Sequence, residues 1–317
     1  MDDPPISPDS PTSSRGVIAG SGGHPAFVLD APQPSAVPVL IAVPHAGRVY
    51  PDALTTALRN PQAAALRLED RYVDRLGQAV AKATGAALLV ALAPRAMIDL
   101  NRAPDDVDWH MLAAADRPPQ ASRAPSRRAR GGLGLVPRRV PGLGELWNSP
   151  LLSDDLTARI EGVHRPYHDA LGATLASLRA RWGAALLLDL HSMPPVAARP
   201  GMQAPQYVIG DRFGASCHGA LVAAAFAGLG AQGVAAAHNR PYAGGYTLER
   251  HARPDRGVHA FQLEIDRTAY LDSRLRELGE GFDATVGTLI ALVRRLGSEV
   301  RDLGPDSAGE SWSEAAE

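Results

Sequence analysis

Short, wholly apolar runs recur along the chain, separated by stretches whose apolar residues repeat every three to four positions, and each pattern predicts its own kind of element. PVLIAV (38–43), AALLVAL (86–92) and AALLLDL (184–190) have the length and continuous hydrophobicity of strands buried on both faces. QYVIG (206–210) and GVHAFQLEI (257–265) extend the series. Between these runs, residues 68–85 place Tyr72, Val73, Leu76 and Val80 on one helical face and close on Gly85, which suits a C-cap. Residues 154–183 carry Ile160, Val163, Tyr167, Leu171, Leu175 and Leu178 along one stripe, with a kink expected near Pro166. A helix through LVAAAF (221–226) and a last one from about Asp272 to Leu296 complete the alternation. Strands alternating with helices predict a single α/β domain built on a central, mostly parallel mixed sheet flanked by helices. Residues 103–150 follow neither period, are dense in Pro, Gly and Arg, and predict a long functional loop or lid. Residues 1–20 and 303–317 are polar and read as disordered tails, which leaves 21–302 as the domain.

Composition narrows the class of function. With 45% hydrophobic residues among 317, the chain can bury a full core. The formal charge of −2 leaves no basic surface for nucleic acid, so recognition by charge must be local. Cys217 is the one cysteine, which excludes an internal disulfide and a thiolate zinc site and makes a reducing cytoplasm the natural compartment. The opening MDDPPISPDSPTSS lacks the basic and apolar regions of a signal peptide, and no run is long enough to span a bilayer.

In open α/β sheets, ligands bind beyond the carboxyl ends of the strands, and the polar residues worth naming lie there. His45 follows the first run, His191 follows the third, and Glu264 stands near the end of the last. One such histidine reads as a hydrogen-bonded turn residue; two at equivalent strand ends favour a metal. An open catalytic zinc site needs a third ligand, for which Asp70 or its neighbour Glu69 is the candidate. In RAMIDLNR (95–102), Arg95, Asn101 and Arg102 offer donors for a carboxylate or an oxyanion, although Asp99 and Arg102 equally make a structural ion pair. HNRPYAGGYTLERHARP (238–254) brings Arg240, Tyr242, Gly245 and Arg250 ahead of the strand bearing Glu264. Facing the pocket, Glu264 would be desolvated toward the pKa of a general base; facing solvent, it is the polar half of an alternating strand.

Taken in order, PHAGRVYP, EDRYVDRL, RAMIDLNR, RPYH, LDLHSMP, RPYAGGY with ERH behind it, and GVHAFQLEI resemble the N-formylglutamate amidohydrolase family over residues 37–270. The resemblance implies a zinc-carboxypeptidase-like fold and one Zn2+ per chain at His45, Asp70 and His191. It also implies Glu264 as general base, Arg95 polarising the scissile carbonyl, and Asn101 with Arg102 on a substrate carboxylate. The substrate it implies is a small anionic N-acyl amino acid, N-formyl-L-glutamate, cleaved at its amide. The sequence departs from the carboxypeptidase pattern at Arg48, which stands where a His-x-x-Glu motif has its second ligand. Two further readings stand beside this one: hydrolysis of another N-acyl amino acid or small peptide, with Arg102, Arg240 and Arg250 the candidate anion contacts, and a ligand sensor without catalysis.

Overall fold

The computed structural model describes residues 16–117, 124–198 and 203–304. Its strands are β1 (Phe27–Asp30), β2 (Val39–Val43), β3 (Ala87–Ala91), β4 (Arg139–Val140), β5 (Gly144–Glu145), β6 (Ala185–Met193), β7 (Tyr207–Gly210), β8 (Ala236–His238) and β9 (Val258–Asp266). The α-helices are α1 (Asp52–Ala57), α2 (Pro61–Leu68), α3 (Val73–Thr84), α4 (Arg127–Arg130), α5 (Ser153–Arg159), α6 (Arg165–Trp182), α7 (Gly219–Ala231), α8 (Tyr246–His251) and α9 (Phe282–Asp302). Seven strands form one mixed sheet in the order β1-β3-β2-β6-β9-β7-β8, in which β3, β2, β6 and β9 run parallel. At the edges, β1 pairs antiparallel with β3, and β7 pairs antiparallel with β9.

Strand alternation divides the interior into two cores. Leu40, Ala42, Leu187 and Ala260 face Tyr167, Leu171, Leu175 and Leu178 of α6. Ile41, Val43, Leu186, Leu188 and Leu263 face α3, α7 and α9 through residues such as Leu76, Leu221 and Leu296. Beside α6, the first core takes in Val107, Met111, Leu135, Val136, Leu146 and Trp147. The segment 103–150 is therefore a packed insertion rather than an open lid. Its residues 118–123 lie outside those described.

Other boundaries move for local reasons. The expected 68–85 helix begins at Val73, because Tyr72 adopts a left-handed backbone (φ 58°) and residues 69–72 form a loop. The last helix begins at Phe282 rather than near Asp272, whose carboxylate instead caps a turn by accepting from the Arg276 and Glu277 amides (2.8 and 3.3 Å). In place of a kink at Pro166 there is a π-helical turn, Ile160–His164, between α5 and α6. Proline has no N–H to give the Gly162 carbonyl, and the Val17 amide takes that acceptor at 2.9 Å. With Ile18 wholly buried, residues 16–20 belong to the folded body and not to a tail; the remainder of the expected tails, apart from Leu303 and Gly304, lies outside the described residues. No helix among the described residues is long and apolar enough to cross a membrane.

Candidate active site

The first core's face of the sheet changes character along its strands. On β6 the sequence Ala185, Leu187, Asp189, His191 occupies one face, and on β9 its register partners are Val258, Ala260, Gln262 and Glu264. Apolar at the amino ends, the face becomes acid, imidazole and amide at the carboxyl ends, where a 280 Å³ cavity opens. Glu264 therefore faces the cavity.

Two loops close around this edge. His45 follows β2, and Gly47 beside it lets the chain press against the turn after β3, where a Cβ would collide with the Ala93 carbonyl. The Asp70 amide donates to the His45 carbonyl at 2.9 Å, which ties the loop before α3 to the same point. As a result His45 Nδ1 lies 3.1 Å from His191 Nδ1, and Asp70 Oδ2 lies 3.5 and 3.2 Å from these two nitrogens. Ligand atoms around a tetrahedral ion with bonds of 2.0–2.1 Å stand about 3.3 Å apart, so this triad has the spacing of a metal's ligand set.

The surroundings hold these three side chains in that arrangement. His45 Nε2 is 2.7 Å from Asp99 Oδ1, and His191 Nε2 is 3.0 Å from Asp189 Oδ2, an ion-pair distance not aligned for a hydrogen bond. A carboxylate beside Nε2 favours the proton there and leaves the Nδ1 lone pair facing the centre of the triad. Asp70 Oδ1 is held by Arg267 (3.2 Å) and Ser192 Oγ (3.3 Å), leaving Oδ2 for the imidazoles. Burial favours the protonated acid, yet the bonds to His191 and His45 keep the Asp70 carboxyl well below the usual range. For Asp99, burial is likewise overcome, chiefly by Arg95.

Glu69 is not part of the triad: Tyr50 donates to one of its oxygens at 2.9 Å and Arg71 lies 3.3 Å from the other. Arg48 pairs with Asp74 at 2.6 and 2.9 Å instead of facing the cavity. Arg95, Asn101, Arg102, Tyr242 and Gly245 all line it. Arg95 bonds Asp99 at 2.9 Å. Asn101 serves the scaffold, accepting from the Thr247 amide (3.0 Å) and donating to Gln262 (3.2 Å), which in turn donates to Glu264 at 2.7 Å. Gly245 is required there because a Cβ would overlap the Asn101 amide. Arg102 stands 3.9 Å from Asp99 and its buried Nε has no hydrogen-bond partner among the described residues. Burial pushes the Glu264 carboxyl up to about 7.

Arg240 and Arg250 are not brought to the cavity. Arg240 is exposed at the surface, and Arg250 bonds the Tyr246 hydroxyl (3.0 Å) and pairs with Asp169 (3.5 Å). Five contributors were not singled out as site residues from sequence: Asp99, Asp189, Gln262, Arg267 and Arg128. Asp189 and Gln262 had a signal, standing two residues before His191 and Glu264 on strands, hence on the same faces.

The family profile for N-formylglutamate amidohydrolase matches residues 37–271. An N-formylglutamate deformylase of Pseudomonas aeruginosa is 30% identical over 83% of this chain and 95% of its own length. Another from Pseudomonas putida is 30% identical over 74% of this chain and 82% of its own. The crystal structure of an N-formylglutamate amidohydrolase from Ralstonia eutropha JMP134 superposes with a TM-score of 0.77, at 33% identity, covering 87% of this chain and 98% of that one.

Proposed function

Because the chain belongs to the N-formylglutamate amidohydrolase family, hydrolases of non-peptide carbon–nitrogen bonds, we propose that it hydrolyses N-formyl-L-glutamate to formate and L-glutamate with one zinc ion. The observation that carries this reading is the His45, Asp70 and His191 triad opening into a cavity whose other charged walls are five arginines and the buried carboxylates of Asp99 and Glu264. Bound at the triad, zinc would act as a Lewis acid toward the amide carbonyl and lower the pKa of water to about 7.

The protein's own groups do the rest. Glu264, with a pKa lifted by burial toward neutrality, takes a proton from the attacking water and delivers it to the leaving nitrogen. Gln262 fixes the rotamer of that carboxylate. Arg95 faces the carbonyl oxygen as charge develops on it, and Asp99 holds the guanidinium in place. Arg102, lacking a close anion, receives a substrate carboxylate, and Asn101 shapes the wall through Thr247 and Gln262. Tyr242 and Gly245 close the cavity from the opposite loop.

The test is a parallel assay of N-formyl, N-acetyl and N-carbamoyl L-glutamate on zinc-loaded protein, with metal analysis of the same preparation. The expected result is one zinc per chain and formate release fastest from N-formyl-L-glutamate. Absence of turnover on all three substrates by metal-loaded protein would refute the assignment.

A further inference from the structure

The cavity's cations are not all balanced by its anions. Five arginines line it: Arg67, Arg95, Arg102, Arg128 and Arg267. Arg95 is paired with Asp99 and Arg267 with Asp70. Arg67 donates to the Pro141 carbonyl (2.8 Å). The guanidinium groups of Arg102 and Arg128 remain: the first has only Asp99 at 3.9 Å, and the second has no side-chain hydrogen bond or ion pair among the described residues. Both line the same cavity. After burial and the opposing effect of Asp99, Arg128 is the next cause that shifts the Arg102 pKa, and it lowers it. Two guanidinium groups that line one cavity, with no carboxylate nearer than Asp99 at 3.9 Å from Arg102, are poised for an anion.

Arg128 is exposed, yet its backbone is placed firmly. It sits in the single turn α4, whose preceding Ser126 bonds Asp106 through its amide (2.8 Å) and hydroxyl (2.9 Å) and also caps the Ala129 amide (3.1 Å). Asp106 reaches the site through the backbone: its carbonyl accepts from Leu135 N, and the Leu135 carbonyl accepts from Asp99 N, each at 2.7 Å. The insertion 103–150 thus anchors the backbone from which Arg128 reaches the cavity wall.

We infer that Arg128 is a specificity-determining residue that, beside Arg102, selects substrates carrying a second carboxylate. This rests on the proposed amidohydrolase reading and assigns the insertion a role in it: one carboxylate is met by the loop after β3, the other by α4. An acyl amino acid with a neutral side chain would leave Arg128 uncompensated.

The experiment compares kcat/KM for N-formyl-L-glutamate and N-formyl-L-glutamine in wild type, Arg128→Ala and Arg128→Lys, with glutarate binding measured by calorimetry on the zinc-loaded proteins. In Arg128→Ala, the loss on the glutamate compound should exceed that on the glutamine compound by at least ~10-fold, the low end for a hydrogen bond to a charged group. It should appear mainly in KM, with partial rescue by lysine. Glutarate affinity should fall in parallel. Equal losses on both compounds, or no loss on either, would overturn the inference while leaving the amidohydrolase reading intact if wild type releases formate. If wild type releases none but its glutarate affinity depends on Arg128, the functional reading falls and the dicarboxylate subsite stands. If glutarate affinity is unchanged in Arg128→Ala, the subsite falls as well.

Discussion

At the scale of single residues, the two oxygens of Asp70 do different work: Oδ2 meets both imidazoles, while Oδ1 is anchored by Arg267 and Ser192. Glu69 cannot substitute, since Tyr50 and Arg71 occupy its carboxylate. Asp70→Ala should therefore abolish stoichiometric zinc, whereas Glu69→Gln should retain it, as read by metal analysis after gel filtration. Zinc loss in Glu69→Gln with retention in Asp70→Ala would reverse the assignment. For Glu264, the near-isosteric Gln cannot accept a proton, so Glu264→Gln should keep its metal and lose at least ~10²-fold in kcat, the lower range of general acid–base contributions. Retained turnover would place the base elsewhere. His45 and His191 were legible in the sequence because each ends a strand pattern. Asp99 was not, since its partnership with His45 spans 54 residues and only folding brings them to 2.7 Å.

At the scale of elements, the π-helical turn and α6 deliver His164 and His168 to the back of the loop that carries Asp99 to Arg102. His164 Nε2 donates to the Arg102 carbonyl (2.8 Å), His168 Nε2 donates to the Leu100 carbonyl (2.9 Å), and His251 of α8 donates to His168 Nδ1 (2.9 Å). In that chain His168 must be neutral, because its Nδ1 accepts. Burial pushes His164 down to about 4 and His251 down to about 3, while an unfolded histidine titrates near 6.5. The sign follows: between about 6.5 and 4 the unfolded chain binds more protons, so stability falls as pH drops through that window, and above 6.5 both states are neutral and the effect vanishes. Each pH unit inside the window costs up to about 1.4 kcal/mol per histidine. Urea midpoints of wild type and His251→Gln at pH 7 and 5 should show a weaker pH dependence in the variant. Equal slopes would mean that His251 protonates in the native state. Periodicity located α6, α3 and the central strands, but not the edge strands β1 and β8, whose few residues carry no distinctive pattern. Nor could it locate the start of α9, where the Asp272 side chain competes with the helix for backbone amides.

At the scale of the whole molecule, the proposed metal position joins three segments far apart in sequence: the loop after β2, the loop entering α3 above the second core, and the end of β6 in the middle of the sheet. The sequence indicated which segments converge, since strand ends in a parallel sheet share an edge. It did not indicate that 103–150 packs as a wall, because that segment buries irregular backbone through isolated contacts such as Trp147 Nε1 to the Pro137 carbonyl, which leave no period. An ion bound to three distant segments stabilises the native state alone, by about 4 kcal/mol when free zinc is 1,000 times its Kd. Without the ion the fold should persist, because His191 Nδ1 and Asp70 Oδ2 stand at 3.2 Å and can share a proton. Chelation should therefore lower Tm by several degrees without abolishing the cooperative transition, and added zinc should restore it. In His191→Ala, which removes one ligand and the partner of buried Asp189, chelator and zinc should both leave Tm unmoved, and activity should be lost. A chelator effect as large in His191→Ala as in wild type would show that the stabilising ion is bound somewhere other than this triad.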